Sequence, residues 1–274
     1  MILVTGASGE LGRVLLPMAR RQTKATGTTF SRAGDDTLTV DLTDFSAVDE
    51  LFAAAAPEIV IHTAISDQSP GMKEAIPAAA EHIGRLAAHH GSRVGALSTY
   101  MVFDGESPPY SERSIPNPRS AYARAKLQME TILMGHVADL LIVRTSLIYD
   151  FRTDCRQLSW MEERISAGEM VTLFTDEIRH PVWAPDLARA ILQVAHSDLR
   201  GVIHIAGPDP LSRMTYGTAL LEALGYDPDV WVEPVQAAAI APHRPRDLTL
   251  DQSLAHGLLD PFPRSVPEAI RAGL

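Results

Sequence analysis

The sequence predicts an α/β protein: a doubly wound parallel sheet with a smaller C-terminal cap packed on it. Three observations carry this. Short apolar or β-branched runs alternate with helical stretches from residue 1 to about residue 150, the pattern of a parallel sheet covered on both faces. The first run closes on a glycine-rich turn that opens directly into a helical pattern. Beyond Tyr149 the alternation loosens, and prolines gather at Pro208, Pro210, Pro242, Pro245, Pro261 and Pro263 with no low-complexity linker between the halves.

The elements follow in order. Residues 1–6 read as a strand closing on Gly6, and Glu10 to Arg21 as a helix with apolar spacing at Leu11, Val14, Leu15 and Met18. Thr28 to Ser31 and Thr37 to Val40 are expected strands, Phe45 to Ala55 a helix, and Ile59 to His62 a buried strand. A long Ala-rich helix from Met72 to His90 is closed by Gly91, followed by a strand at Val94 to Ser98 and a Pro-rich loop from Gly105 to Pro118. Ala121 to Leu133 is helical and Leu140 to Arg144 is a further buried strand. In the second half, Gln157 to Ala167, Pro185 to His196 and Met214 to Leu224 read as helices and Val202 to Ala206 as a strand. Residues 1–150 are thus expected to form the wound unit and 151–274 the cap, part of which is free to contribute to the first unit.

Composition narrows the classes. With 274 residues, 46% hydrophobic and 21% charged, the chain buries a substantial core and is not disordered or fibrous. Its one cysteine, Cys155, forms no intrachain disulfide and has no Cys-x-x-Cys partner, which fits a reducing cytoplasm. The chain enters Met-Ile-Leu-Val-Thr-Gly without a basic leader, and Pro57, Glu58 and Arg144 cut its apolar stretches well below the ~18 residues of a membrane span. A soluble, untargeted, cytoplasmic protein with no membrane partner is expected. A formal charge of -10 with no basic run argues against nucleic acid. Ten histidines include no His-Glu-x-x-His, and no metal is expected.

Chemistry concentrates in a few places. Gly6-Ala7-Ser8-Gly9-Glu10-Leu11-Gly12 is a Gly-x-x-Gly-x-x-Gly turn between strand and helix. Its glycines permit a tight turn and close approach, and the helix end offers amides and a positive dipole to a pyrophosphate, the mark of a Rossmann-type dinucleotide site. Gly6, Ser8, Gly9, Glu10, Leu11 and Gly12 are therefore cofactor-binding candidates. Tyr122 and Lys126 stand four apart on one helix face; the ammonium would lower the phenol pKa and reach a ribose, so that Tyr122 acts as general acid. Ser98-Thr99 closes a strand at the edge where open α/β sheets bind ligands, and the Thr99 hydroxyl is placed to hold a carbonyl oxygen. At the end of the second strand, Phe30-Ser31-Arg32 offers a hydroxyl and a guanidinium for a 2′-phosphate where NAD sites carry an acid. NADP(H) is accordingly favoured over NAD(H).

In this order the glycine turn, Thr99 and Tyr-x-x-x-Lys resemble an extended short-chain dehydrogenase/reductase. Leu97-Ser98-Thr99-Tyr100-Met101-Val102-Phe103-Asp104-Gly105, Pro109-Tyr110-Ser111-Glu112, Pro116-Asn117-Pro118, Glu130 and Arg144-Thr145-Ser146 narrow this to the sugar-nucleotide-binding dTDP-4-dehydrorhamnose reductase branch. Arg179-His180-Pro181-Val182, Asp186-Leu187-Ala188 and Gly201 to Gly207 extend the likeness over nearly the whole chain. The resemblance implies that Asp41 and Leu42 approach the adenine and that Thr63 and Ala64 join the cofactor site. It implies catalysis by Thr99, Tyr122 and Lys126, and a substrate side that includes Tyr100 and Phe103. Arg179 and Arg244, with Arg246, are candidates for clamping a substrate diphosphate bidentately.

The chain departs from the branch at four places. Tyr100 and Met101 stand where Asp and Tyr are usual, Pro77 to Ala80 lack the helix Asn of the proton relay, His62-Thr63-Ala64 replaces Asn-Ala-Ala, and Leu147 replaces Trp. The expected function is an NADPH-dependent reduction of a keto group on a small-molecule nucleotide sugar; a homodimer is allowed. Two alternatives stay open. One is a non-enzymatic NADP-binding regulatory subunit resembling the beta subunit of methionine adenosyltransferase, and the other an epimerase of the same superfamily.

Overall fold

β1 (Ile2–Thr5) is buried along its whole length, as three apolar residues and a strand-end threonine in the middle of a parallel sheet must be. In the computed structural model, which describes residues 1–30, 37–65, 69, 71–152 and 155–274, the chain continues through α1 (Gly12–Gln22), β2 (Ala25–Thr29), β3 (Thr37–Thr39), α2 (Phe45–Ala55) and β4 (Ile59–His62). Then come α3 (Met72–His90), β5 (Arg93–Thr99), α4 (Ala121–His136) and β6 (Leu140–Thr145). α2 starts where the Asp44 carboxylate accepts hydrogen bonds from the amides of Ser46 and Ala47. α3 ends at Gly91, left-handed at φ +70°. α4 is capped by Ser120, which accepts from the Ala123 amide.

The second half contains β7 (Ile148–Tyr149), α5 (Arg156–Ser166), β8 (Val171–Phe174), β9 (Ile178–Arg179), β10 (Val182–Trp183), α6 (Ala184–Ala195) and β11 (Gly201–His204). β12 (Leu211–Ser212), α7 (Arg213–Ala223), α8 (Pro228–Trp231), β13 (Val232–Val235), α9 (Ala237–Ile240), α10 (Ser253–His256) and α11 (Val266–Gly273) complete it. The central sheet has seven strands in the order β11-β6-β5-β4-β1-β2-β3, all parallel. Its direction of winding reverses between β1 and β4, the switch point at which such sheets bind ligands.

The expected division at residue 150 left room for later segments to join the wound unit: β11 pairs with β6, Gly201 opposite Leu141 and His204 opposite Arg144, and α6 shares a buried cluster with α1 that includes Leu15, Leu187 and Ile191. Once β6 would otherwise be a bare edge, a further apolar strand pairs there and covers it. The expected strand from Thr28 to Ser31 needs correction. The second strand begins at Ala25 and ends at Thr29, because its partner β1 offers a register running from Ile2 opposite Ala25 to Thr5 opposite Thr28.

Leu3, Val60 and Ala96 point to the face covered by α2, α3 and α4, whereas Val4 and Ile61 point to the α1–α6 face. A third cluster, built from Tyr149, Leu158, Val171, Tyr216 and Leu220, forms the core of the C-terminal cap. No described helix is long and apolar enough to cross a membrane.

Candidate active site

A cleft of about 980 Å³ opens along the carboxyl ends of β1, β4, β5 and β6, large enough for a sizeable small-molecule ligand. The glycine turn forms one end. Gly6 sits at φ +73°, and a Cβ there would stand 2.7 Å from the Ala64 Cα; a Cβ on Gly12 would collide with the Gly6 carbonyl oxygen. Only glycine lets the turn fold this tightly against the neighbouring strand end. No side chain caps α1 at Leu11, and its first turn holds no acidic residue. The helix end is thus left to an anion from the cleft, which is the arrangement a dinucleotide pyrophosphate requires.

Gly6, Ser8, Gly9, Glu10, Leu11 and Gly12 all line this cleft, as do Asp41, Leu42, Thr63 and Ala64. Thr63 is fixed by its hydroxyl, which donates to the Thr5 carbonyl at 2.7 Å. The Glu10 carboxylate accepts from the Arg156 amide at 2.7 Å, so it occupies the start of α5 and ties the glycine turn to the cap. Ser31 and Arg32 lie outside the described residues.

Thr99, Tyr100, Tyr122 and Lys126 converge on the same cleft. The Thr99 oxygen accepts from the Met101 amide at 3.2 Å, which leaves its hydroxyl proton available to donate. Lys126 is buried, and its Nζ donates to the Leu97 carbonyl at 3.1 Å and contacts the Met129 Sδ at 3.8 Å. Burial lowers its pKa to about 8, against the pull of Glu130. One turn further along α4, Glu130 accepts from Arg144 Nε and Nη2 at 3.0 and 2.7 Å and from Ser98 Oγ at 2.5 Å. This buried fork joins α4 to the ends of β5 and β6 and so sets the height of Tyr122 and Lys126 above the sheet.

The structure places the other substrate-side expectations elsewhere. Phe103 is fully buried, stacked on Tyr110 at 4.3 Å with the Arg144 guanidinium 5.2 Å from its ring. Arg179 is buried and donates to the carbonyls of Ile178, Arg246 and Pro245 at 2.7–2.8 Å. Arg244 forms a two-pronged ion pair with the buried Glu177 carboxylate. None of the three is in the wall of the main cleft. The Arg179 guanidinium, taken out of water, has found its acceptors inside the protein, whereas Arg244 stays exposed while its pair with Glu177 holds it.

Sequence reasoning missed Ser146, Leu147, Arg156 and Gln157, which line the cleft from β6 onward and from α5. Gln157 Oε1 accepts from Arg213 Nη1 at 3.1 Å, which brings a half-buried arginine up behind the wall. No spacing pattern marks these residues, because they are set by how the cap returns to the sheet. Among the described residues no group of three histidines, cysteines or acids stands close enough to hold a metal ion.

A family model described as the RmlD substrate binding domain matches residues 1–272. The chain belongs to the RmlD family. This RmlD-type chain is 30% identical to the dTDP-4-dehydrorhamnose reductase of Mycobacterium tuberculosis over 89% of its length and 82% of that protein's. It is 31% identical to a probable low-salt glycan biosynthesis reductase of Haloferax volcanii, with 93% and 91% covered. It is also 26% identical to methionine adenosyltransferase 2 subunit beta of Bos taurus, with 98% and 86% covered. A solved structure of a hypothetical dTDP-4-dehydrorhamnose reductase from Sulfolobus tokodaii superposes at a TM-score of 0.81, 28% identical, covering 94% of both chains. The same fold recurs in a Bacillus anthracis reductase solved with NADP, at 21% identity, TM-score 0.81 and coverage of 99% and 97%. It recurs again in a Bordetella bronchiseptica enzyme solved with NAD+, at 20% identity, TM-score 0.83 and coverage of 99% and 96%.

Proposed function

We propose that this protein reduces a keto group on a nucleotide sugar with NADPH. The observation that carries the reading is the convergence of Thr99, Tyr122 and Lys126 on one cleft whose far end is the glycine turn. The open start of α1 fits a pyrophosphate, Asp41 and Leu42 fit the adenosine end, and Thr63 and Ala64 fit the stretch toward the reacting ring. When bound, the nicotinamide supplies the reducing equivalent. Thr99 donates a hydrogen bond from its hydroxyl to the substrate carbonyl oxygen and so polarises it. Tyr122 releases its phenolic proton to that oxygen, and Lys126 stabilises the phenolate that remains and holds the ribose. Tyr100 shapes the substrate side.

The cap in this reading is residues 151–274 without the stretch that supplies α6 and β11, and it closes over the sugar and its diphosphate. Ser31 and Arg32 give the preference for NADP(H) over NAD(H). The deciding experiment is absorbance loss of NADPH with a panel of nucleotide sugars carrying a 4-keto group. A parent that reduces one of them, and a Tyr122→Phe variant that does not, is the expected result.

One observation favours a second reading. The likeness to methionine adenosyltransferase 2 subunit beta spans 98% of this chain, and a regulatory, cofactor-binding subunit would keep the glycine turn. It has no chemical use for Thr99, Tyr122 and Lys126 together. A parent that reduces no keto sugar yet co-purifies with an enzyme whose kinetics it alters would establish it.

A further inference from the structure

His62 ends β4 at only 1% exposure, and its two ring nitrogens have different fates. Nδ1 lies 2.8 Å from the Thr5 hydroxyl oxygen on the neighbouring strand. Nε2 is buried with no hydrogen-bond partner. A buried polar atom left without a partner in an otherwise satisfied strand end calls for an explanation.

Strand parity supplies the direction. Side chains alternate across a sheet, and Val60, two residues before His62, packs on the face covered by α3 and α4. His62 therefore projects to the α4 side, where Lys126 enters. The register sets His62 opposite Ala96, one residue before Leu97, whose carbonyl holds the Lys126 ammonium. Among the described residues, the other hydrogen-bond contact of the ammonium is the thioether of Met129 at 3.8 Å, a weak acceptor. Among the described residues the ammonium thus has one good acceptor, and a buried imidazole that feels its charge has one nitrogen without a hydrogen bond.

We propose that His62 is a positioning residue for Lys126: pinned at Nδ1 by Thr5, it presents the Nε2 lone pair to the ammonium and steadies it beneath the cofactor ribose. This rests on the reading of Lys126 given above. The tautomer follows. Facing a donor-only ammonium, Nε2 must be the acceptor, so Nδ1 carries the proton and donates to the Thr5 oxygen. The imidazole stays uncharged, because burial, reinforced by the Lys126 charge, lowers its pKa to about 3. The other groups facing Lys126 are Glu130 on its own helix, whose carboxylate is shared with Arg144 of β6 and Ser98 of β5, and Tyr122 one turn earlier. From α3, Glu74, Ala75 and Ala78 line the same cleft as Lys126, and Glu74 is the ionisable group among them.

Because the chain has only three lysines, Lys24, Lys73 and Lys126, lysine labelled with carbon-13 at Cε gives three resonances, and Lys126 can be titrated directly without any turnover. Removing the acceptor favours the uncharged amine, so His62→Leu should move the Lys126 midpoint downward by about half a unit or more. His62→Gln, which keeps an acceptor, should leave it within a few tenths. Thr5→Val unpins the ring without emptying the core and should shift the midpoint in the same direction by less, which keeps the test decisive should His62→Leu fold poorly. A Lys126 resonance that titrates identically in the parent, His62→Leu and Thr5→Val overturns the proposal. Were the shifts seen while Tyr122→Phe turned over like the parent, the reductase reading alone would fall.

Discussion

Lys126 reaches from the second turn of α4 to the end of β5, where its Nζ donates to the Leu97 carbonyl at 3.1 Å. That single bond fixes an ammonium two residues before Thr99, and Tyr122, four residues earlier on the same helix face, is thereby hung over the same strand end. In the proposed reduction the proton donor, the carbonyl-polarising hydroxyl and the cation are thus referred to one strand terminus and not to a mobile loop, the rigidity that positioned chemistry requires.

The two helix residues should fail differently. General acid catalysis contributes about 10²- to 10⁴-fold, so Tyr122→Phe should lose that much turnover on a 4-keto nucleotide sugar while cofactor affinity changes little. Lys126→Met should lose both, because the proposed function assigns its ammonium to the phenol and the ribose at once. Steady-state kinetics with calorimetric cofactor titration on each variant checks this; equal cofactor affinities in the two would refute the role of Lys126 at the ribose.

The Glu130 fork should prove structural before it proves chemical. Glu130 and Arg144 are both nearly excluded from solvent, at 2% and 4% side-chain exposure. Glu130→Gln keeps the shape but leaves a buried guanidinium without its counter-charge, for which the expected loss is about 3–5 kcal/mol. Denaturant unfolding reads it. A loss below about 1 kcal/mol would mean that the cation over Phe103, 5.2 Å from the ring, is enough to hold Arg144.

What was legible in the sequence follows from how local its causes are. α2, β4 and α3 begin and end where the sequence places them, because Asp44, Pro57 and Gly91 mark their limits by local backbone chemistry. That the glycine turn, Tyr122 and Lys126 line one cleft at the sheet edge was equally legible, since one turn and one i,i+4 pair specify them. The pairing of β8 with β13 was not: Val171 meets Val232, two four-residue strands far apart in sequence, one of them interrupted by Pro234. Nor was β11 as a sheet strand, whose membership depends on where α6 delivers the chain. α11 had a signal that went unread, because Ser265 and Glu268 form a capping box around its first turn. How the guanidinia of Arg179 and Arg244 are held was not legible either, because a sequence does not show the carbonyls and the buried Glu177 that take them up.

Cofactor choice is open to direct measurement. With Ser31 and Arg32 after the second strand in place of an acid, the protein should bind NADPH more tightly than NADH. Arg32→Ala should erase most of that preference, losing about 1.5–3 kcal/mol toward NADPH and little toward NADH. Equal affinities in the parent, or a preference that survives the substitution, would remove Arg32 from the site.

The last prediction concerns acid stability and uses His62 again, in a different measurement. Its folded pKa lies at about 3 against 6.5 for the free side chain, with burial as the main cause and the Lys126 charge second. Between those values the unfolded chain binds a proton that the folded chain does not, so stability rises with pH in this window and is lost on acidification. The contribution is fully present above about pH 6.5 and declines as the pH falls toward 3. His62→Gln has no proton to take up, and carboxylates that titrate in both proteins cancel in the comparison. From pH 6.5 to 4.5 the parent should therefore lose about 2 kcal/mol more unfolding free energy than His62→Gln. Denaturant midpoints measured at both pH values on both proteins give that difference. Parallel losses would show that His62 is protonated in the folded state well above pH 4.5, and the neutral imidazole at the end of β4 would have to be abandoned.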